Sequence, residues 1–504
     1  MNRDTCRMIP LGTRRTILLG AVSLVLLVAA GRAGPARGAD APERVLRAGA
    51  HAIDVTPQKL PVIVNGGMLE RTCSKVVDPL HARCLVLDDG TTTIAFAVVD
   101  NCVIPRPIMD RAKAIAREKT GIAEDRILIS ATHCHSAPSV FGALGSGENP
   151  EYVEYLPGRI AEGIAQAQEN LEPARVGWAV GKDPENVFCR RFLMKPGTAR
   201  TCRFTGKEND RAQMNPGYQN PNAVERTGPA DTDVSVLAVQ SRGGRPIAVL
   251  ANYSTHYAGA PPLSADYFGV FARRIGELIG ADAAGEAGPP FVGIMTNGTS
   301  GDANCCDFVN PRREFTYKTV GEDTAQAAFK ACKTIRYYDW VPIVMEEALL
   351  ELGVRKPSPE ETAEAKAYLA EHVPDGKPKS TTDVYARETV ILSEWPERRQ
   401  IKLQAIRIGG LGIAAMPNEV FGSTGLAIKE QSPLKPTFSI ELANGYAGYL
   451  PPPEQHTLGG YTTWRARSSC LEEQAEPKIR AKVLKLLGNV AGRRADEKPT
   501  LSKP

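Results

Sequence analysis

RILISATHCHSAP, residues 126–138, decides how the rest of this chain is read. Its first half is a short apolar, β-branched run, and its second half turns abruptly polar. A run of four to eight apolar residues bounded by turn formers reads as a buried strand. The same transition recurs four times: RPIAVLANY (245–253) before STHYAG, FVGIM (291–295) before TNGTSGDAN, LGIAAM (411–416) before PNEVFG, and FSIEL (438–442) before ANGYAGYLPP.

Helical patterns separate these strands, at residues 108–119, 159–171, 267–279, 324–335, 359–372 and 477–490. Alternation of this kind predicts an α/β (mixed α+β) protein with a sheet core flanked by helices. Ligands in such sheets bind beyond the carboxyl ends of strands, where all five polar clusters fall, so one shared site is expected there. Residues 399–408 and 411–416, joined by Gly409 and Gly410, read as a hairpin feeding the fourth cluster. Residues 356–382, rich in charge and proline, read as a surface insertion with one helix. No internal repeat is visible in the sequence.

The N-terminus carries Arg3, Arg7, Arg14 and Arg15, an apolar run from Ile17 to Ala30, and small residues near Gly38. At about 14 residues the run is shorter than the roughly 20 needed to span a bilayer, so residues 1–38 read as a cleaved signal peptide, with a twin-arginine flavour, and the protein as periplasmic or secreted. Cleavage after Gly38 removes six basic residues and one acidic residue, taking the formal charge from +4 to −1. A near-neutral chain with few aromatics offers no footprint for nucleic acid. Past the leader, residues 45–490 read as one domain and 491–504 as a tail. The cysteines beyond the leader form no CxxC pair or regular spacing, so neither a zinc ribbon nor a small disulfide scaffold is indicated.

The chain has seven histidines. Two of them, His133 and His135, follow the strand with one residue between. Alternation along an extended backbone would put both imidazoles on one face and Cys134 on the other. His256 follows a second strand, and Glu419 stands at the end of a third, where VFGSTGLAIKE begins a helix. Two imidazoles and a carboxylate make a donor set suited to zinc, with room for water or substrate; calcium or magnesium would ask for more oxygens. Zinc acidifies water towards neutrality, so the chemistry implied is hydrolysis.

Taken in order, the five blocks resemble the catalytic domain of the neutral, non-lysosomal ceramidases, zinc amidases that cleave the N-acyl bond of ceramide. ATHCHSAP (131–138) is similar to that family's THTHSGP, and NYSTHYAG (252–259) stands at its second histidine ligand. TNGTSGDAN (296–304) is similar to its glycine-aspartate segment and MPNEVFG (416–422) to its PGEFT element. NGYAGYLPPPEQHTLGGY (444–461) resembles N-Y-x-x-Y-V-T-T-P-E-E-Y running on to Q-x-Y. The resemblance implies zinc held by His133, His256, Glu419 and Tyr449, His135 as general base, and Tyr461 as donor to the oxyanion. The family's arginine is offered by Arg190 or Arg191, of which Arg190 is taken. Asp302, Asn297, Asp266 and Asn444 become supporting candidates, with ordinary turn roles as the alternative.

The sequence also departs from the family. His456 replaces a tyrosine and Gly459 the glutamine of Q-x-Y, and the chain ends 43 residues after Tyr461, where ceramidases continue into a β-sandwich domain. The implied substrate is a small-molecule or lipid N-acyl amide, with no protein partner expected. The basic amphipathic helix near 478–487 would allow peripheral contact with a membrane, although packing on the core is the commoner fate of such a helix. Two other readings stand beside the amidase: a zinc hydrolase of an ester, phosphate or carbohydrate-derived substrate, and a non-catalytic periplasmic binding protein on the same scaffold.

Overall fold

The computed structural model describes residues 44–281 and 288–502, so the leader expected over residues 1–38 lies outside the described residues. Eight strands make the main path of a large mixed sheet: β1 (Arg47–Asp54), β2 (His81–Asp88), β3 (Thr93–Val99), β4 (Ile127–Ala131), β5 (Glu172–Lys182), β6 (Asp233–Ser241), β7 (Pro246–Tyr253) and β8 (Val292–Asn297). They lie in the order β8-β7-β6-β5-β1-β2-β3-β4. A second sheet runs β9 (Ile343–Gly353), β10 (Arg398–Ile408), β11 (Leu411–Ala415), β12 (Thr437–Ile440). All five apolar runs singled out from the sequence are strands, and β10 and β11 form the expected hairpin.

The topology contains a repeat that the sequence hides. Two antiparallel steps and one parallel step occur in β1-β2-β3-β4, again in β5-β6-β7-β8, and again in β9-β10-β11-β12. In each unit a helix crosses over between the third and fourth strands: α1 (Arg106–Thr120), α3 (Asp266–Ile279) and α7 (Gly422–Gln431). A further helix follows the fourth strand in each: α2 (Pro150–Glu169), α4 (Tyr317–Cys332) and, after the short α8 (Pro453–Leu458), α9 (Ala475–Gly492). Each unit also carries an insertion between its first two strands, at residues 55–80, 183–232 and 354–397. What repeats is the pattern of pairing and crossover, and many sequences satisfy one pattern.

Three apolar layers hold the units together. The first two units join edge to edge through the antiparallel pairing of β1 with β5. Ile53, Val86, Ala97 and Ile129 on one face of the resulting sheet pack under α1–α4 with Met109, Ile160, Phe271 and Val320. The opposite face, with Leu85, Phe96, Leu128 and Leu250, packs against Ile406, Ile413 and Phe438 of the second sheet. Beyond it, Leu403 and Ala414 meet Ile479, Val483, Leu486 and Leu487 of α9. The apolar face of α9 is therefore spent on the core. Burying such side chains contributes roughly 1.5–3 kcal/mol apiece, which outweighs the helix's modest amphipathic appeal to a surface.

Two helices differ from the sequence pattern. α2 begins at Pro150 and passes through Pro157, which reads as a breaker; Tyr152, Leu156, Ile160 and Ile164 keep it helical by packing on the sheet. The third insertion runs beyond the expected 356–382: α5 (Pro359–His372) is the one helix expected there, and α6 (Thr381–Glu394) follows it. Each opens on a capping box, Ser358 with Glu361 and Ser380 with Asp383. Past α9, Thr500–Leu501 pairs with Tyr338–Trp340, adding a short edge to the large sheet.

Candidate metal centre

Each unit delivers its polar residues to one place, beyond the carboxyl ends of its last two strands. His133 lies two residues past β4, in the left-handed region at φ 71°, with its amide donating to the Asn101 carbonyl (2.9 Å). The extended backbone expected through His133 and His135 is absent, because the chain must turn there to leave the sheet. The turn nevertheless brings the two rings together, with 3.2 Å between their Nε2 atoms. His133 Nδ1 donates to the Cys102 carbonyl (2.8 Å), which leaves Nε2 as the lone-pair nitrogen.

His256, three residues past β7, brings its Nε2 to 3.0 Å from His133 Nε2. Its loop is clamped by Asp266, whose carboxylate accepts from the amides of Ala258 (2.9 Å), Gly259 (3.1 Å) and Ala260 (2.8 Å). On the far side of the ring, Nδ1 faces the Ser300 carbonyl and hydroxyl, each at 3.2 Å. Glu419, past β11, reaches in with Oε2 3.3 Å from His133 Nε2 and 4.0 Å from His256 Nε2. Gly301 permits this approach, since a Cβ there would sit 2.6 Å from the Glu419 carbonyl oxygen.

The three donor atoms lie within 4.8 Å of one another and all three residues are buried. Burial opposes ionisation of Glu419, but the neighbouring His133 and Arg190 outweigh it and hold the carboxyl below its usual range. Burial and the Arg190 charge push His256 well below 6.5, so its ring is neutral and can ligate. Glu419 Oε1 accepts from the Tyr446 hydroxyl (2.9 Å), whereas Oε2 is buried with no hydrogen-bond partner. A buried carboxylate oxygen without a donor is costly unless a cation meets it. Two imidazoles, each with its Nδ1 against a carbonyl, and one ionised carboxylate fit zinc.

The other residues named from the sequence are close by. Tyr449 is the ladder partner of Glu419 in a two-residue parallel pairing, and its ring lies edge-on to Tyr461 at 5.6 Å. His135 stacks on Tyr257, ring centres 3.8 Å apart, and burial holds it well below 6.5. Arg190 donates to the Gly301 carbonyl (3.1 Å) and lies 3.3 Å from the His256 ring nitrogens. Arg191 instead points away, donating to Gln455, Gly459 and Thr462. Asp302 accepts from the Gly422 amide (2.8 Å) and is pushed up to about 6 by burial. Asn444 donates to Gln404 (2.7 Å), between the strands, away from the donor atoms.

Sequence reading missed Glu441 and Ser300. Buried Glu441 accepts from the Ser300 hydroxyl (2.6 Å) and Asn297 (2.8 Å) with one oxygen, and from the amides of Val420 (2.8 Å) and Ser300 (3.2 Å) with the other. It thus braces the loop behind His256 and the backbone beside Glu419 together. The available signal was a glutamate inside the apolar run FSIEL, one residue past β12.

Two solved structures share this architecture. A neutral ceramidase from Pseudomonas aeruginosa superposes with a TM-score of 0.64 at 16% identity, over 92% of this chain and 77% of that one. The fold is that of a neutral ceramidase. A ceramidase complexed with C2 gives a TM-score of 0.63 at 15% identity, with the same coverage. No family model matches the chain, and no curated protein matches it in sequence. Within the neutral ceramidase fold the two departures read from the sequence have structural consequences. Gly459 sits at φ 70° with Asp210 Oδ1 only 2.3 Å from where a Cβ would be, which excludes a side chain such as glutamine. His456 is buried and held down to about 3 by burial and the Arg355 charge.

Proposed function

We propose that the chain is an exported, zinc-dependent hydrolase of N-acyl amides, with the ion held by His133, His256, Glu419 and Tyr449. The observation that carries this reading is the convergence of the two Nε2 atoms and Glu419 Oε2 in a buried cluster whose carboxylate oxygen has no partner. The neutral ceramidase fold agrees with it, and the leader-like residues 1–38 support export.

Zinc would supply Lewis acidity towards a carbonyl and acidify water near neutral pH. His135, neutral and with Nε2 facing the donor cluster, accepts a proton from the attacking water and returns it to the departing nitrogen. The C–O bond forms first, moving charge onto the carbonyl oxygen, and the C–N bond breaks afterwards as its nitrogen is protonated, so the products are a carboxylate and an amine. Tyr461 remains a protonated phenol, because burial and the Glu419 charge push it up, and so can donate to the carbonyl oxygen as charge builds there. Arg190 holds Gly301 and the His256 ring in place and adds positive charge beside that oxygen.

The test is elemental analysis of purified protein together with a panel of N-acyl amides of short and long acyl chain. About one zinc per chain and cleavage of at least one amide that stops on chelation and returns with zinc is the expected result. Metal-loaded protein that cleaves a phosphate or glycosyl ester and no amide would overturn the assignment.

A further inference from the structure

Tyr461 forms part of the wall of a cavity of about 410 Å³. All three insertions contribute to it: Met68 comes from 55–80, residues 200–202 and 212–215 from 183–232, and Thr381 and Thr382 from 354–397, with Trp464 beside Tyr461. The cavity borders the metal centre through Tyr461, whose ring meets Tyr449, the backbone partner of Glu419.

Its lining is mixed, with Met68, Ala212, Met214 and Trp464 beside polar residues. Arg200, Thr201, Gln213, Asn215, Thr381 and Thr382 are the polar ones, and a purely alkyl occupant would leave their hydrogen bonds unmet. No carboxylate lines the cavity. The acids in the surrounding chain are engaged elsewhere: Asp210 accepts from the Gly460 amide and Trp464 Nε1, and Asp383 from the Lys379 and Ser380 amides and the Tyr368 hydroxyl. Arg200 is fixed at its backbone, where its amide donates to Gln213 Oε1 (3.1 Å), while its guanidinium has no ionic or hydrogen-bonding partner among the described residues. The cavity therefore offers one unneutralised fork of N–H donors amid neutral hydroxyls and amides.

We propose that this cavity is the subsite for a carboxylate carried by the amide substrate, read by the Arg200 guanidinium. A planar guanidinium pairs with a carboxylate through two parallel hydrogen bonds, and the surrounding hydroxyls and amides complete its shell. The substrate class becomes acidic N-acyl compounds, with the carboxylate on the acyl or the amine portion. This rests on the hydrolase reading of the adjacent centre.

The experiment compares two matched pairs on the zinc-loaded protein: an N-acylglycine against the same N-acylethanolamine, and an N-succinyl amide against its N-butanoyl counterpart. KM is measured where cleavage occurs, and the dissociation constant by calorimetry where it does not. A preference of about tenfold for the acidic member of at least one pair is expected, the modest size reflecting an exposed guanidinium. Arg200→Gln should bring the ratio close to one, and Arg200→Lys should restore part of it. Equal handling of both pairs, or a preference that survives Arg200→Gln, overturns the proposal. Cleavage of amides without any preference would sink it and leave the hydrolase standing. Acid binding lost in Arg200→Gln without any cleavage would support the subsite and remove the hydrolase.

Discussion

Replacing Glu441 tests whether the metal centre is held from behind. Glu441→Ala leaves three buried donors unpaired: the Val420 and Ser300 amides and the Ser300 hydroxyl. Each such loss costs about 1–3 kcal/mol. The three share one cavity and will not add fully, so the total is on the order of 3–5 kcal/mol. The effect should reach the metal as well, since Ser300 faces His256 Nδ1 and Val420 adjoins Glu419; removal of such a support typically weakens metal affinity ~10- to 100-fold. Glu441→Gln should be far milder. Burial pushes the Glu441 carboxyl well above its usual range, so an uncharged amide resembles it, and Asn297 Oδ1, buried without a partner, can turn to accept from the new NH₂. Thermal melts and chelator competition on both variants make the measurement. An alanine variant with wild-type zinc affinity and melting point would refute the reasoning, as would a glutamine variant as damaged as the alanine one.

His133→Ala and His256→Ala should each strip the metal, whereas His135→Ala should keep it and lose most turnover; elemental analysis beside a rate assay separates the roles. Tyr461→Phe should lower kcat ~10²- to 10³-fold with zinc retained, the usual cost of an oxyanion donor, read by steady-state kinetics. His456 predicts a pH effect on stability. Its folded value of about 3 lies below the unfolded 6.5, so its neutral ring stabilises fully above pH 6.5, and that contribution is lost as pH falls towards 3. At pH 5 the loss is about 2 kcal/mol. The difference in melting temperature between about pH 7.5 and 5 should shrink in His456→Phe, and an unchanged difference would show the ring to be irrelevant.

The strands and the donor cluster were legible because both are local signals. An apolar run ending in His, Glu or Gly states where a buried strand stops and what it carries. The left-handed turn at His133 was not legible, since the hydrogen bond from its amide to the Asn101 carbonyl that accompanies it joins residues far apart in sequence. Pro157 hid the start of α2 for the same reason: packing by residues on both sides overrides a local breaker. Tyr449 was nominated by resemblance alone, and the structure gives the reason its partnership is invisible locally, a two-residue ladder to a glutamate thirty positions away. Glu441 was missed because a carboxylate inside an apolar run reads as an interruption until its four donors are seen.

The three-fold recurrence of the strand-and-helix unit would make the proposed zinc a reporter of assembly. His133 belongs to the first unit, His256 to the second and Glu419 to the third, so no fragment holding fewer than three units carries the full donor set. A chain split at the exposed residues around Lys333 and Thr334, between α4 and the third unit, would yield one piece with both histidines and another with the glutamate. The apolar faces that join the two sheets would still bring the pieces together. An ion that binds only the docked pair would then tighten the association by mass action. Chelator titration of such a split pair would convert zinc occupancy into a measure of how strongly two sheets adhere.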